Sequence, residues 1–107
     1  MFHKSNRLAK TKEVKRALGR GRAFFNPLFT LKFVSAPNGG KRFTVIVSTK
    51  VSKKAVLRNR IKRVVREYIR RRMEKLAPGD YALIVRPALT KTTDKEWREK
   101  LEQLFLS

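Results

Sequence analysis

The side chains with most chemistry to offer lie in one stretch, Val51-Ser52-Lys53-Lys54-Ala55-Val56-Leu57-Arg58-Asn59-Arg60-Ile61-Lys62-Arg63-Val64-Val65-Arg66-Glu67-Tyr68. Residues 50–75 hold twelve Lys and Arg against two acids, Glu67 and Glu74. On a helix, Arg58, Lys62 and Arg66 stack at i, i+4 and i+8. Asn59, Arg63 and Arg70 form a neighbouring row, bridged by Arg66. The ridge runs about three turns, or roughly 16 Å at 1.5 Å per residue, a length that spans several phosphates. A guanidinium donates two parallel hydrogen bonds to a phosphate, which an ammonium cannot do. Asn59 carries both a donor and an acceptor, and so can read a 2′-hydroxyl or a base edge. A solvated helix normally intersperses acids at i, i+4, and this face has almost none. The pattern therefore predicts a polyanion-binding face.

Other chemistry is poorly supplied. There is no cysteine, which excludes disulfides, zinc ribbons and thiol catalysis. His3 is the single histidine, and the eight acids show no pair at metal-site spacing. A self-sufficient nuclease would need clustered carboxylates or a histidine base. The sequence thus offers neither a catalytic residue nor a protein-bound metal. Lys and Arg total 28 against 8 Asp and Glu, a net charge of +20 in 107 residues. Like charges at that density repel in a compact state, so a large polyanion is the expected neutraliser. The charge is also directional, because residues 76–107 carry five basic and five acidic side chains. No apolar run approaches the ~20 residues of a membrane span. The N-terminus lacks a secretory h-region, so a cytoplasmic protein is expected.

The elements that must hold this ridge can be traced along one domain, residues 1–107. Residues 10–18 predict a short helix capped by Thr11, with Val14, Ala17 and Leu18 on one face and Gly19 and Gly21 ending it. Leu28–Val34 alternates as a half-buried strand, with Phe29, Leu31 and Phe33 opposite Thr30 and Lys32. Pro37-Asn38-Gly39-Gly40 reads as a turn, making Arg42–Val47 the antiparallel partner of a hairpin. Residues 55–76 predict the long helix, stopped by Pro78-Gly79-Asp80. Tyr81–Val85 predicts a central strand. Thr92 or Thr93 caps a last helix lined by Trp97, Leu101, Leu104 and Phe105, with Glu96 as capping-box partner of Thr93. The order α-β-β-α-β-α describes a small α+β sandwich.

Arg58-Asn59-Arg60-Ile61-Lys62-Arg63 followed by Arg66-Glu67, preceded by Lys50-Val51-Ser52-Lys53-Lys54-Ala55-Val56, resembles the bacterial ribonuclease P protein component. Asn6-Arg7-Leu8 and a phenylalanine-bearing strand after Gly19-Arg20-Gly21 extend the resemblance over nearly the whole chain. It implies a left-handed βαβ crossover, against the usual right-handed preference. It implies a subunit of an endoribonuclease whose catalysis resides in an RNA. That RNA uses Mg2+ in the holoenzyme to remove the 5′ leader of precursor tRNA. The protein itself would bind no cofactor. Its partners would be the ribonuclease P catalytic RNA, in a 1:1 complex with monomeric protein, and precursor tRNA, without a membrane.

Residue by residue, the resemblance places Arg58, Asn59, Arg63 and Arg66 on the catalytic RNA. Arg60, Lys62 and Lys50 assist them, with Lys53, Lys54 and Arg70 in the same basic surface. The leader would lie in a cleft between the first helix and the sheet. Family members often carry aromatics on that helix; here the matching positions are Val14 and Leu18, which suit a core. Thr30 and Lys32 are expected on the cleft side, with Arg22 and one of Phe24 or Phe25 at the rim. A generic RNA-binding module shares the charge but not this order of motifs. A membrane-surface helix conflicts with the need to cover the sheet.

Overall fold

A computed structural model describes residues 18–19, 22–35 and 40–106, and the elements below lie within them. The strands are β1 (Arg22–Phe25), β2 (Phe29–Ser35), β3 (Lys41–Ile46) and β4 (Gly79–Val85); the helices are α1 (Ala55–Arg70) and α2 (Asp94–Leu106). Short 3-10 turns cover Met73–Lys75 and Pro87–Lys91. The predicted first helix falls outside the described residues except for Leu18 and Gly19, which are helical.

The sheet order is β1-β2-β4-β3. β2 pairs antiparallel with β1 and with β4, while β3 runs parallel to β4 and is joined to it through α1. The expected hairpin of Leu28–Val34 with Arg42–Val47 is therefore corrected: β4 lies between the two strands. The reason is in β4 itself. Tyr81, Leu83 and Val85 face one side of the sheet and Ala82 and Ile84 the other, and all but Ile84 are buried. A strand apolar on both faces belongs in the middle of a sheet, where both faces are covered. Alternation announces a strand but does not name its neighbour. Gly79 opens β4 at a close approach, where a Cβ would meet the Phe33 ring and stand 2.5 Å from the Val34 carbonyl oxygen.

The hairpin that does form is β1–β2. Asn26 closes it: its Oδ1 accepts the backbone N–H groups of Leu28 and Phe29, both at 2.9 Å, and its Nδ2 donates to the Lys100 carbonyl. Asn before Pro is a turn-initiating pair.

One face of the sheet forms the core. Phe29, Leu31, Phe43, Val45, Tyr81, Leu83 and Val85 pack beneath Val65, Tyr68 and Ile69 of α1 and Trp97, Leu101 and Leu104 of α2. α1 lies over β3 and α2 over β2. Phe33, Tyr81 and Phe43 align across three strands, with ring centroids 4.6 and 4.5 Å apart. Tyr68 and Trp97 meet edge to face at 5.7 Å, joining the two helices. The capping box of α2 is present, with Thr93 N–H donating to Glu96 and Glu96 N–H to Thr93 Oγ1. The long helix ends at Arg70, short of the expected Leu76. The bonding tightens to Arg72 N–H with Ile69 O and Lys75 N–H with Arg72 O. This 3-10 winding keeps Leu76 against the core while turning the chain toward β4.

Candidate nucleic-acid interface

The approach to α1 is a stapled loop. Val51 is buried, its N–H bonds Ser48 O, Ser48 Oγ accepts Lys50 N–H, and Ser52 Oγ accepts Lys54 N–H. Arg58 reaches back to donate to Ser52 O at 2.9 Å. No acid occupies the first turn and Lys54 makes no side-chain cap. The positive end of the helix dipole thus stands uncompensated beside exposed Lys50, Lys53 and Lys54.

Successive helical residues are about 100° apart, so Arg58, Lys62 and Arg66 span ~80° and Asn59, Arg70 and Arg63 fill the next ~60°. The first row adjoins the core stripe of Ile61, Val65 and Ile69, so its stems are half-buried and its charged heads reach water. Asn59, Arg63 and Arg70 are exposed. The structure therefore brings these six side chains and the loop lysines onto one surface. Arg70 is engaged there: its Nη2 and Nε donate to Glu67 at 2.6 and 3.1 Å. That pairing holds the Glu67 carboxyl down at about 2, so it stays ionised. Arg60 turns the other way. It borders an apolar groove of about 230 Å³ containing Leu57, Ile61, Leu89 and Trp97.

The face of the sheet away from the core carries the proposed cleft residues only in part. The β1–β2 register puts Phe25 beside Thr30 and Ala23 beside Lys32, all on this face. Phe25 is 66% exposed, Lys32 half-buried and Thr30 buried. Leu18 packs here against Ala82 and Val34, the core role that suits an aliphatic residue. Arg22 and Phe24 align with Phe33 and Leu31, so they lie on the opposite side, where Phe24 packs against the main core. Of the two rim aromatics, Phe25 is the one sharing a face with Lys32. Val14 lies outside the described residues. At one end of this face, buried Asp80 takes two 2.8 Å hydrogen bonds from Arg42.

A family model for ribonuclease P matches residues 2–107. The chain belongs to the ribonuclease P protein family. It is 34% identical over 104 residues to the ribonuclease P protein component of Thioalkalivibrio sulfidiphilus, covering 97% of this chain and 87% of that one. It is 33% identical over 105 residues to that of Bacillus velezensis, covering 95% and 88%. The fold matches the Staphylococcus aureus RNase P protein with a TM-score of 0.85 at 26% identity, covering 92% of this chain and 91% of that one. It also matches the Thermotoga maritima RNase P protein in complex with 1-(4-fluorophenyl)-2-thiourea, with a TM-score of 0.81 at 28% identity over 92% and 96%.

Two features of this family member were not anticipated from its residues. The Arg42–Asp80 clamp had one signal, a lone acid in an apolar strand. The convergence of Arg71, Arg72 and Arg98 between the helices had none, because it depends on how α2 crosses α1. Among the described residues no helix is long and apolar enough to cross a membrane.

Proposed function

We propose that this chain is the protein subunit of a ribonuclease P ribonucleoprotein, a cytoplasmic complex in which one monomer sits on one catalytic RNA. The ridge and loop from Lys50 to Arg70 bind that RNA. The free sheet face around Phe25 and Lys32 holds the 5′ leader of precursor tRNA. The reaction served is the RNA-catalysed, Mg2+-dependent endonucleolytic removal of that leader. The observation that carries this reading is the outward surface of α1 and its loop. Lys50, Lys53, Lys54 and Arg63 are exposed there, and their side chains make no ion pair or hydrogen bond among the described residues. Such groups are ready to replace the counterions of crowded phosphates.

Magnesium does not fit the donors of the described residues. Among the described residues no group of three or more His, Cys, Asp or Glu is placed to hold a metal ion. Asp80 is clamped by Arg42, Glu67 by Arg70 and Glu102 by Arg72 and Tyr68. The protein's part is electrostatic and positional. Arginine forks fix RNA phosphates, the exposed Phe25 ring offers a face to an unpaired base, and the Lys32 ammonium lies two residue pairs along the same face to meet its phosphate.

The test is cleavage of precursor tRNA at low magnesium by the candidate RNA with and without the purified protein. Protein alone should leave the substrate intact, and protein with RNA should raise 5′ cleavage. RNA-free cleavage that survives repurification, or tighter binding to ribosomal RNA fragments than to the ribonuclease P RNA, overturns the reading.

A further inference from the structure

A second cationic surface lies off the ridge, in a groove of about 430 Å³ between α1 and α2. Arg63, Glu67, Arg71 and Arg72 reach it from α1 and the turn that follows, and Arg98 from α2, with Tyr68 at its base. Glu67, the acid that lines it, and two acids of α2 nearby are already committed. Glu67 is bound to Arg70, with Arg71 3.6 Å away. Glu102 accepts from Arg72 and from the Tyr68 hydroxyl. Asp94, one turn before Arg98, accepts the Trp97 indole N–H. Arg63 and Arg98 are left with no carboxylate partner among the described residues, and the Arg71 side chain is 71% exposed.

The groove is also held in shape. The Tyr68 hydroxyl, whose proton goes to Glu102, also stands 3.3 Å from the Arg98 carbonyl, and Arg72 lies 3.7 Å over the Tyr68 ring. These contacts pin α2 to α1 and hold Arg72, so the backbone positions that carry Arg63, Arg71 and Arg98 are fixed around the groove. On the ~100° wheel Arg71 stands ~140° from Arg58, so a strand lying along Arg58 and Lys62 does not reach it. Arg63 stands between the two surfaces and joins them.

We propose that this groove binds phosphodiester groups of a second RNA segment, so that α1 is gripped by RNA on two sides. The inference rests on the RNA-binding reading above and adds Arg71 and Arg98 to the contact surface. Phosphate is the fitting chemistry: several converging forks match its oxygens, and the residual charge needs a counterion.

The experiment measures affinity of the full-length protein for the ribonuclease P RNA across a salt series. It compares the parent, the double variant Arg71→Gln with Arg98→Gln, its Lys counterpart, and Arg58→Ala on the ridge. The Gln pair is expected to lose affinity roughly ten- to hundredfold, with the log–log salt slope flattened by about 1.4–1.8, two contacts at ~0.7–0.9 each. The Lys pair keeps the charge but not the fork, and should recover part of the loss with the parent slope. Thermal melting, followed alongside, should hold for all variants. If the Gln pair binds like the parent while Arg58→Ala is weakened, the groove is not an RNA contact and the functional reading stands. If Arg58→Ala and the Gln pair both bind like the parent, the functional reading fails and takes this inference with it. If inorganic pyrophosphate raises the melting temperature of the parent but not of the Gln pair, while both bind RNA equally, the groove serves a free phosphate compound and the proposal is overturned.

Discussion

Glu67→Gln is expected to tighten RNA binding. Glu67 is the one acid of α1, and it occupies Arg70 of the outward face. Arg70 gives it both a 2.6 and a 3.1 Å hydrogen bond, and Arg71 stands 3.6 Å away. Because the Arg70 hydrogen bonds hold its carboxyl down at about 2, no ordinary change of pH releases them; the substitution does. The glutamine amide keeps an acceptor oxygen but loses the charge. The Arg70 guanidinium then becomes available to a phosphate and adds ~0.7–0.9 to the magnitude of the log–log salt slope. Over a fourfold change in salt, from about 50 to about 200 mM, that slope difference makes the gain about threefold larger at the lower salt. Exposed ion pairs add little to folding, so the melting temperature should barely move. The assay is filter binding or fluorescence anisotropy with the ribonuclease P RNA over that range. Weaker binding by a folded Glu67→Gln protein would refute the reasoning, since it would mean that Glu67 holds Arg70 in its working pose rather than withholding it.

Phe25→Ala should lower the affinity of the assembled enzyme for precursor tRNA by ~1–3 kcal/mol while leaving mature tRNA unaffected, and Lys32→Ala should act in the same direction; equal losses on both tRNAs would sink the leader-face assignment. Asp80→Asn should lower stability in denaturant unfolding by about 1–3 kcal/mol, because it removes the charge from the two hydrogen bonds that Arg42 gives this buried carboxylate; an unchanged midpoint would show the clamp to be idle. Burial, helped by the hydrogen bond to Glu102, pushes the Tyr68 phenol up to about 12. A raised folded-state value means that the proton is held more tightly in the folded protein, so this contribution is intact below pH ~10 and lost as pH climbs toward 12. Melting followed over that window should fall more steeply for the parent than for Tyr68→Phe, and parallel curves would exclude Tyr68 as the cause.

The two helices that build the cationic surface were legible because helical periodicity is local: Ile61, Val65, Tyr68 and Ile69 mark the buried stripe of α1, and Thr93 with Glu96 marks the start of α2. The half-buried alternation of Phe29, Leu31 and Phe33 was equally plain. Strand pairing was not, since any two strands of matching period can be neighbours, and only the two-sided apolar character of Tyr81–Val85 identified the centre. Strand β1 was missed because four residues carry little periodicity, and its turn signal, Asn26-Pro27, precedes the stronger run of β2. That miss had a cost at the cleft. Once Arg22–Phe25 is a strand, neighbouring residues must point to opposite faces, so the choice between Phe24 and Phe25 falls to Phe25 and Arg22 leaves the rim. The α1–α2 groove was invisible for a further reason: Arg98 lies some thirty positions from Arg63, Arg71 and Arg72, and only packing brings them together.

The place of β4 between β2 and β3 also governs how the chain can come to be folded. The strand that completes the sheet is made only after the whole of α1 has been synthesised. Until Gly79–Val85 arrives, β2 and β3 lack the neighbour that both require. Their apolar faces and the buried stripe of α1 must wait for contacts that span some forty to fifty residues, and such long-range closure slows folding. The arginine helix is therefore synthesised early but seated late. A released chain truncated before residue 79 would leave β2 and β3 without their shared neighbour, beside a strongly cationic segment. For such a chain, entry of one heptapeptide into the sheet separates the closed fold from an aggregation-prone intermediate.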